Sequence, residues 1–246
     1  MKLREILDRF VFTRKCPSCG ALLDYERRNE AFCSDCKLKW NVLKTRECKR
    51  CGRSMCECIC MTSTLSKAGA LCHHKIVKYS SDIPVIHNTM MFIKRNNNPR
   101  ISGFLAEQIR SVLAADKDLP CLDADRAIIT YVPRGERAVI KYGVDQSENI
   151  AGSLSEIMSL PFVRSLERVK GGKEQKKLNA TQRAKNAKKL FRLCDGVSDG
   201  IDGKHVILID DIVTTGASMA ACVALLIKAG ARAVICVSVA STENSK

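Results

Sequence analysis

The sequence predicts an α/β protein: a parallel sheet flanked by helices, with a small cysteine-rich module ahead of it. Three observations carry this. Apolar, β-rich runs alternate with stretches of helical period from about residue 85 onward. One such run, Val206-Ile-Leu-Ile209, leads straight into two adjacent carboxylates and a hydroxyl-rich turn. Nine of the 14 cysteines crowd between Cys16 and Cys60. The 246 residues, 46% hydrophobic, suit one medium domain plus a smaller one, divided here as 1–62 and 63–246.

Leu3, Ile6, Leu7, Phe10 and Val11 stand at helical spacing, so the chain opens on a short amphipathic helix. It is expected to pack on a neighbouring domain; docking to a membrane surface or partner is the alternative. Met1–Lys15 is charged throughout and has no cleavable signal pattern. Cys16-Pro-Ser-Cys19 and Cys33-Ser-Asp-Cys36 then form a C-x2-C, x13, C-x2-C array. Two-residue spacing lets one turn present both sulfurs to one metal, so this reads as a zinc ribbon. Trp40 is expected to pack in its small core. Cys48-Lys-Arg-Cys51 opens a second ribbon. Any two of Cys56, Cys58 and Cys60 complete it on paper; Cys56 and Cys60 are taken as the pair. Cys72, His73 and His74 are substitutes, read more simply as part of a solvated loop. The two cores look separate, so Cys16→Ser should spare the main domain.

Thr62–Pro84 reads as a polar, Ser-rich linker and the start of the next domain, and Val85–Lys94 as a strand or a helix. Lys94–Arg100 is a turn, Phe104–Leu113 a helix, Ala127–Val132 a buried strand and Gln146–Met158 a helix. Val206–Asp211 and Ala233–Ala240 are buried strands bracketing a helix from Ala217 to Ala229. Asp210 and Asp211 therefore stand where a buried strand should end, with Thr214, Thr215, Gly216 and Ser218 leading into a helix. Free N–H groups and hydroxyls there suit a phosphate. The carboxylates repel it and suit sugar hydroxyls, or a magnesium shared with a pyrophosphate. The implied ligand is a phosphorylated sugar.

The formal charge is +15. Two zinc ions, each held by four thiolates, would lower it to +11, still basic enough for a polyanionic partner. Residues Arg164–Arg192 hold eleven cations against Glu167 and Glu174, with Gly171-Gly172 near the start. This segment is a solvated face, a loop closing over pyrophosphate, or a track for a nucleic-acid backbone. No apolar run approaches the roughly 20 residues that span a bilayer; with no signal pattern the protein is expected in the cytoplasm, and in that reducing compartment the clustered cysteines argue for zinc rather than disulfides.

The stretch from Val206 to Ser218 resembles the phosphoribosyl pyrophosphate (PRPP) signature of type I phosphoribosyltransferases, and the whole chain resembles the ComF (competence protein F) family. The Cys-x-x-Cys-Gly pairs, Ile93-Lys94, Tyr131-Val132-Pro133, Gly143-Val144-Asp145-Gln146 and the series Gln175, Leu178, Arg183, Asn186 follow the family's order. Tyr142 stands where the family has Arg, Val144 and Asp145 replace Phe and Asn, and Arg134 stands near a usual His. The resemblance implies a type I phosphoribosyltransferase fold that binds PRPP with magnesium and structural zinc. Asp210 and Asp211 would hold the ribose hydroxyls and serve any catalysis. Val213, Thr214, Thr215, Gly216, Ala217 and Ser218 would hold the 5-phosphate. Val132, Pro133, Arg134 and Gly135 would face the pyrophosphate, with Lys173, Lys176 and Lys177 closing over it. The implied role is handling single-stranded DNA beside competence proteins such as a DNA-translocating helicase. The alternatives are nucleobase salvage and a non-catalytic PRPP sensor.

Overall fold

The computed structural model describes residues 13–169 and 190–242. The expected N-terminal helix, the lysines at 173, 176 and 177 and the series from Gln175 to Asn186 lie outside them.

Four parallel strands form the main sheet: β1 (Ala70–Lys78), β2 (Ala127–Tyr131), β5 (His205–Val213) and β6 (Ala233–Ser241). Their order is β1-β6-β5-β2. A parallel bridge from Ile129 to Phe162 adds the start of a fifth strand beside β2. Two short strands, β3 (Leu166–Arg168) and β4 (Phe191–Leu193), pair antiparallel on their own.

The unbroken apolar runs follow from burial of both sheet faces. Ile207 and Ile209 join Ile129, Ile235 and Val237 in one cluster, while Val206 and Leu208 join Ile128, Val234 and Cys236 in the other. Alternate side chains of one strand thus serve opposite cores. The first face is covered by α4 (Pro99–Ala115) and α6 (Gln146–Met158), the second by α8 (Ala217–Lys228). Helix α4 begins where the Asn98 side chain accepts the Ile101 N–H (3.3 Å) and Pro99 fills the first turn. Its buried residues Ile101, Leu105, Ile109 and Val112 recur at helical spacing. The remaining helices are α1 (Ser34–Lys44), α2 (Ser63–Lys67), α3 (Pro84–Ile93), α5 (Glu136–Tyr142) and α7 (Ser198–Ile201).

Three expectations change, and one reading left open is settled. Residues 62–84 are not a linker: they hold α2 and the edge strand β1. Cys72, His73 and His74 lie buried in β1, neither a solvated loop nor part of a cysteine cluster. The polarity of this stretch hid the strand, but His73, His74 and Lys75 each have a polar partner close by. His73 Nε2 sits 2.9 Å from Ser238 Oγ, His74 Nε2 3.2 Å from Asp116 Oδ2, and Lys75 Nζ donates to the Cys60 carbonyl (2.5 Å). Val85–Lys94 resolves as helix α3. Finally, the cores are not separate. Cys16, Leu23, Phe32, Trp40 and Leu43 belong to the same buried cluster as Leu105 and Ile109 of α4 and Ile207 of β5. Trp40 stacks on Phe32 (5.5 Å between centroids), and both meet Phe104 of α4 edge-on, at 5.9 and 5.2 Å.

Candidate functional site

Strand β5 runs past the acidic pair to Val213 instead of ending at it. The reason is one-sided pairing. Strand β6 accompanies β5 throughout, with Asp210 opposite Ser238 and Val213 opposite Ser241. Strand β2 stops opposite Ile209, where the Val132 N–H donates to the Ile209 carbonyl (2.9 Å). Beyond that point the open side of β5 faces the first turn of α6. Ser147 Oγ donates to Asp210 Oδ1 (3.3 Å) and Gln146 Nε2 to Asp211 Oδ2 (2.7 Å). Lys94 Nζ lies 3.8 Å from Asp211 Oδ2. The pair also binds its own backbone, Asp211 N–H to Asp210 Oδ1 (2.9 Å) and Ile212 N–H to Asp211 Oδ1 (2.7 Å). Asp211 is buried and Asp210 half-buried. Burial first, and the neighbouring Asp211 second, push the Asp210 carboxyl well above the ordinary carboxylate range.

The turn after β5 encloses a cavity of about 90 Å³ lined by Asp210, Val213, Thr214, Thr215, Gly216, Ala217 and Ser218, together with Ile212 and Met219. Gly216 sits just before α8 at φ +74°, a left-handed conformation that suits glycine. A Cβ there would lie 2.8 Å from Thr62 Oγ1, so the backbone is also crowded. Thr215 Oγ1 accepts the Ala217 N–H (3.4 Å). The first N–H groups of a helix have no intrahelical partner, and those of α8 open at the cavity end. Every one of these lining residues except Ile212 and Met219 was expected from the sequence. Asp211 does not line the cavity; its side chain turns towards Gln146 and Lys94.

Val132 and Pro133 are buried. Arg134 is held in place: its Nη1 donates to the Lys94 carbonyl (3.0 Å), the Val144 carbonyl (3.2 Å) and Gln146 Oε1 (2.9 Å). Its N–H donates to Asp145 Oδ2 (2.7 Å), and Asp145 Oδ1 caps α6 by accepting from Ser147 N–H (3.1 Å). Arg134 therefore reaches Asp211 through Gln146. Gly135 leaves room for Arg168, whose guanidinium would lie 3.7 Å from an added Cβ and sits 5.5 Å from the Phe191 ring. Gln146, Ser147, Lys94 and Arg168 were not expected as site residues from the sequence. Lys94 and Gln146 did stand in the family-like series and Arg168 in the basic segment, but none carried a role there.

The cysteines gather as two sets of four. Sulfurs of Cys16, Cys19, Cys33 and Cys36 lie within 4.8 Å of one another, as do those of Cys48, Cys51, Cys58 and Cys60. The Cys19 and Cys33 sulfurs are 3.7 Å apart. Zinc–sulfur bonds of about 2.3 Å in a tetrahedron require a sulfur–sulfur edge of about 3.8 Å, so the donor set fits zinc. Cys58 takes the place expected for Cys56, which instead has Ser54 Oγ 3.5 Å from its sulfur. The opening halves are alike. Gly20 N–H donates to the Cys16 carbonyl (2.9 Å) and Gly52 N–H to that of Cys48 (2.8 Å). Cys16 N–H donates to the Ala21 carbonyl and Cys48 N–H to that of Arg53, both at 2.8 Å.

A phosphoribosyl transferase domain model matches residues 138–246. The DNA utilization protein YhgH of Salmonella typhimurium is 28% identical over 162 residues, covering 65% of this chain and 69% of YhgH. Escherichia coli K12 YhgH is 32% identical over 107 residues, 43% of this chain and 45% of YhgH. Solved structures with remote likeness include a hypoxanthine phosphoribosyltransferase from Staphylococcus aureus, 14% identical with a TM-score of 0.36, covering 61% of this chain and 67% of that one. Glutamine PRPP amidotransferase from B. subtilis is 17% identical with a TM-score of 0.34, covering 63% of this chain and 27% of that one.

Proposed function

We propose that the chain, which carries a phosphoribosyl transferase domain and resembles the ComF family, binds PRPP or a related ribose phosphate with magnesium. The observation that carries this reading is the cavity after β5: small hydroxyl residues and a helix N-terminus on one side, a carboxylate on the other. Thr214, Thr215, Gly216, Ala217 and Ser218 hold the 5-phosphate through hydroxyls and N–H groups. Asp210 accepts a hydrogen bond from a ribose hydroxyl at the cavity, and Asp211 joins it by turning from Gln146 and Lys94 towards the ligand. Gln146 and Ser147 orient the two carboxylates. Arg134 and Gly135, with Arg168 beside them, serve the pyrophosphate side. Magnesium, when bound, supplies neutralising charge to the pyrophosphate.

We further propose a cytoplasmic role in handling single-stranded DNA during natural transformation, beside competence proteins such as a helicase. The name of the YhgH proteins and the strongly basic charge support it. Calorimetry with PRPP, with and without magnesium, tests the site. The Asp210→Asn/Asp211→Asn variant is expected to stay folded and to lose at least about tenfold in affinity. Equal affinity in variant and wild type would overturn the assignment.

A further inference from the structure

Away from that crevice, the first cysteine knuckle meets the turn between α3 and α4 in a notch of about 430 Å³. Arg14, Lys15, Phe92, Asn97, Asn98 and Arg100 line it, with Pro99. The volume is on the scale of small-ligand sites, about 300–1,000 Å³. Its cations are held unusually close. Arg14 Nη1 and Arg100 Nη1 both donate to the Arg28 carbonyl, at 3.3 and 2.9 Å, and Arg100 Nη2 reaches the Lys15 carbonyl at 3.4 Å. One guanidinium at that oxygen is enough to tie the knuckle to α4. A second one there, shared with Asn29 Oδ1 (3.3 Å), and an adjacent lysine leave like charges close together, which the neighbouring Cys16 thiolate offsets only in part and an anion in the notch would offset further. Among the described residues no carboxylate lines the notch. Glu30, an acid of the same module, is taken by Arg27 (2.9 Å) and Lys37 (3.1 Å). Phe92 is half-buried, packed on the core by one side and lining the notch with the other.

We propose that this notch binds the phosphodiester backbone of a single nucleic-acid strand, with Phe92 offering its ring to a base. The proposal rests on the DNA-handling part of the reading above and names its surface. Cations that track phosphates and aromatic faces that take bases are the two components of sequence-tolerant single-strand binding. Amide side chains at Asn97 and Asn98 add donors without charge.

Fluorescence anisotropy with a labelled oligothymidylate at several salt concentrations tests this on the full-length, zinc-loaded protein. Each phosphate contact to a single strand contributes about 0.7 to the log–log salt slope, so Arg14→Ala/Lys15→Ala is expected to lower it by about 1.4. Phe92→Leu keeps the apolar packing and loses the ring; about a tenfold weaker affinity at unchanged slope is expected. Zinc content and thermal unfolding of each variant establish that it is folded. If the wild type binds the strand and both variants match it, the notch is the wrong surface and the DNA reading stands. If the wild type shows no salt-dependent binding, both fall. Equal affinity for duplex would overturn the single-strand assignment.

Discussion

Asp210 is a carboxylate whose surroundings disfavour its charge. Burial and the adjacent Asp211 raise its pKa in the fold well above the unfolded value near 3.8. A carboxyl with a raised folded pKa stabilises the fold below its unfolded pKa and loses that contribution as pH rises through the folded one. Asp210→Asn removes the penalty. It is expected to raise the melting temperature at neutral pH. The gain should shrink as pH falls towards about 4 and vanish below it. Thermal unfolding of both proteins from about pH 4 to 8 checks the sign; a gain that grows on acidification would contradict it. The acidic pair was legible because adjacency in sequence brings the two carboxylates together. Gln146 and Ser147 were not, because they stand 65 and 63 residues away and only the fold brings them near. Likewise Cys72-His-His-Lys75 reads as polar surface, since the polar groups that lie against it, Ser238, Asp116 and the Cys60 carbonyl, come from distant segments.

Each cysteine knuckle is an element in its own right, and the two opening halves repeat at an interval of 32 residues, Cys16 to Cys48. C-x2-C followed by glycine is readable because the chemistry is local: one turn, two sulfurs, one left-handed glycine. The second closing half is not. Cys56, Cys58 and Cys60 alternate, and only the path of the chain into α2 decides which two turn inward. That path also reaches the phosphate turn. Two residues after Cys60, Thr62 accepts the Leu65 N–H (3.3 Å) and stands against Gly216. Arg50, between the opening cysteines, donates to the Met61 carbonyl (2.8 Å). Cys58→Ser is therefore expected to leave about one zinc per chain and to weaken ribose 5-phosphate binding several-fold through the loosened Thr62–Leu65 support. Cys56→Ser should retain both zinc ions and unchanged affinity. Metal analysis and calorimetry on the two variants decide this, and a Cys56 variant that loses the metal would restore the expectation drawn from spacing.

At the scale of the molecule, one buried cluster runs from the first knuckle to the sheet. The sequence suggested two independent cores because metal modules commonly carry their own small one. Here Trp40 and Phe32 reach outward to Phe104 of α4, so the helix that covers the sheet also covers the knuckle. Lys44 Nζ adds a hydrogen bond to Gln108 Oε1 (2.5 Å), and Arg100 ties the knuckle carbonyls to the same helix. The consequence is cooperative unfolding. Trp40 is fully buried, and replacing a large aromatic by alanine in such a place costs about 3–5 kcal/mol. If the cluster is one unit, Trp40→Ala lowers the stability of the sheet as well. Amide exchange in β5 and β6, which lie far from Trp40 in sequence, should speed up by about the same free energy as the global transition shifts. Calorimetry should show a single transition displaced downward. Were the knuckle independent, the variant would instead show an early separate transition, and exchange protection in β5 and β6 would match that of the wild type.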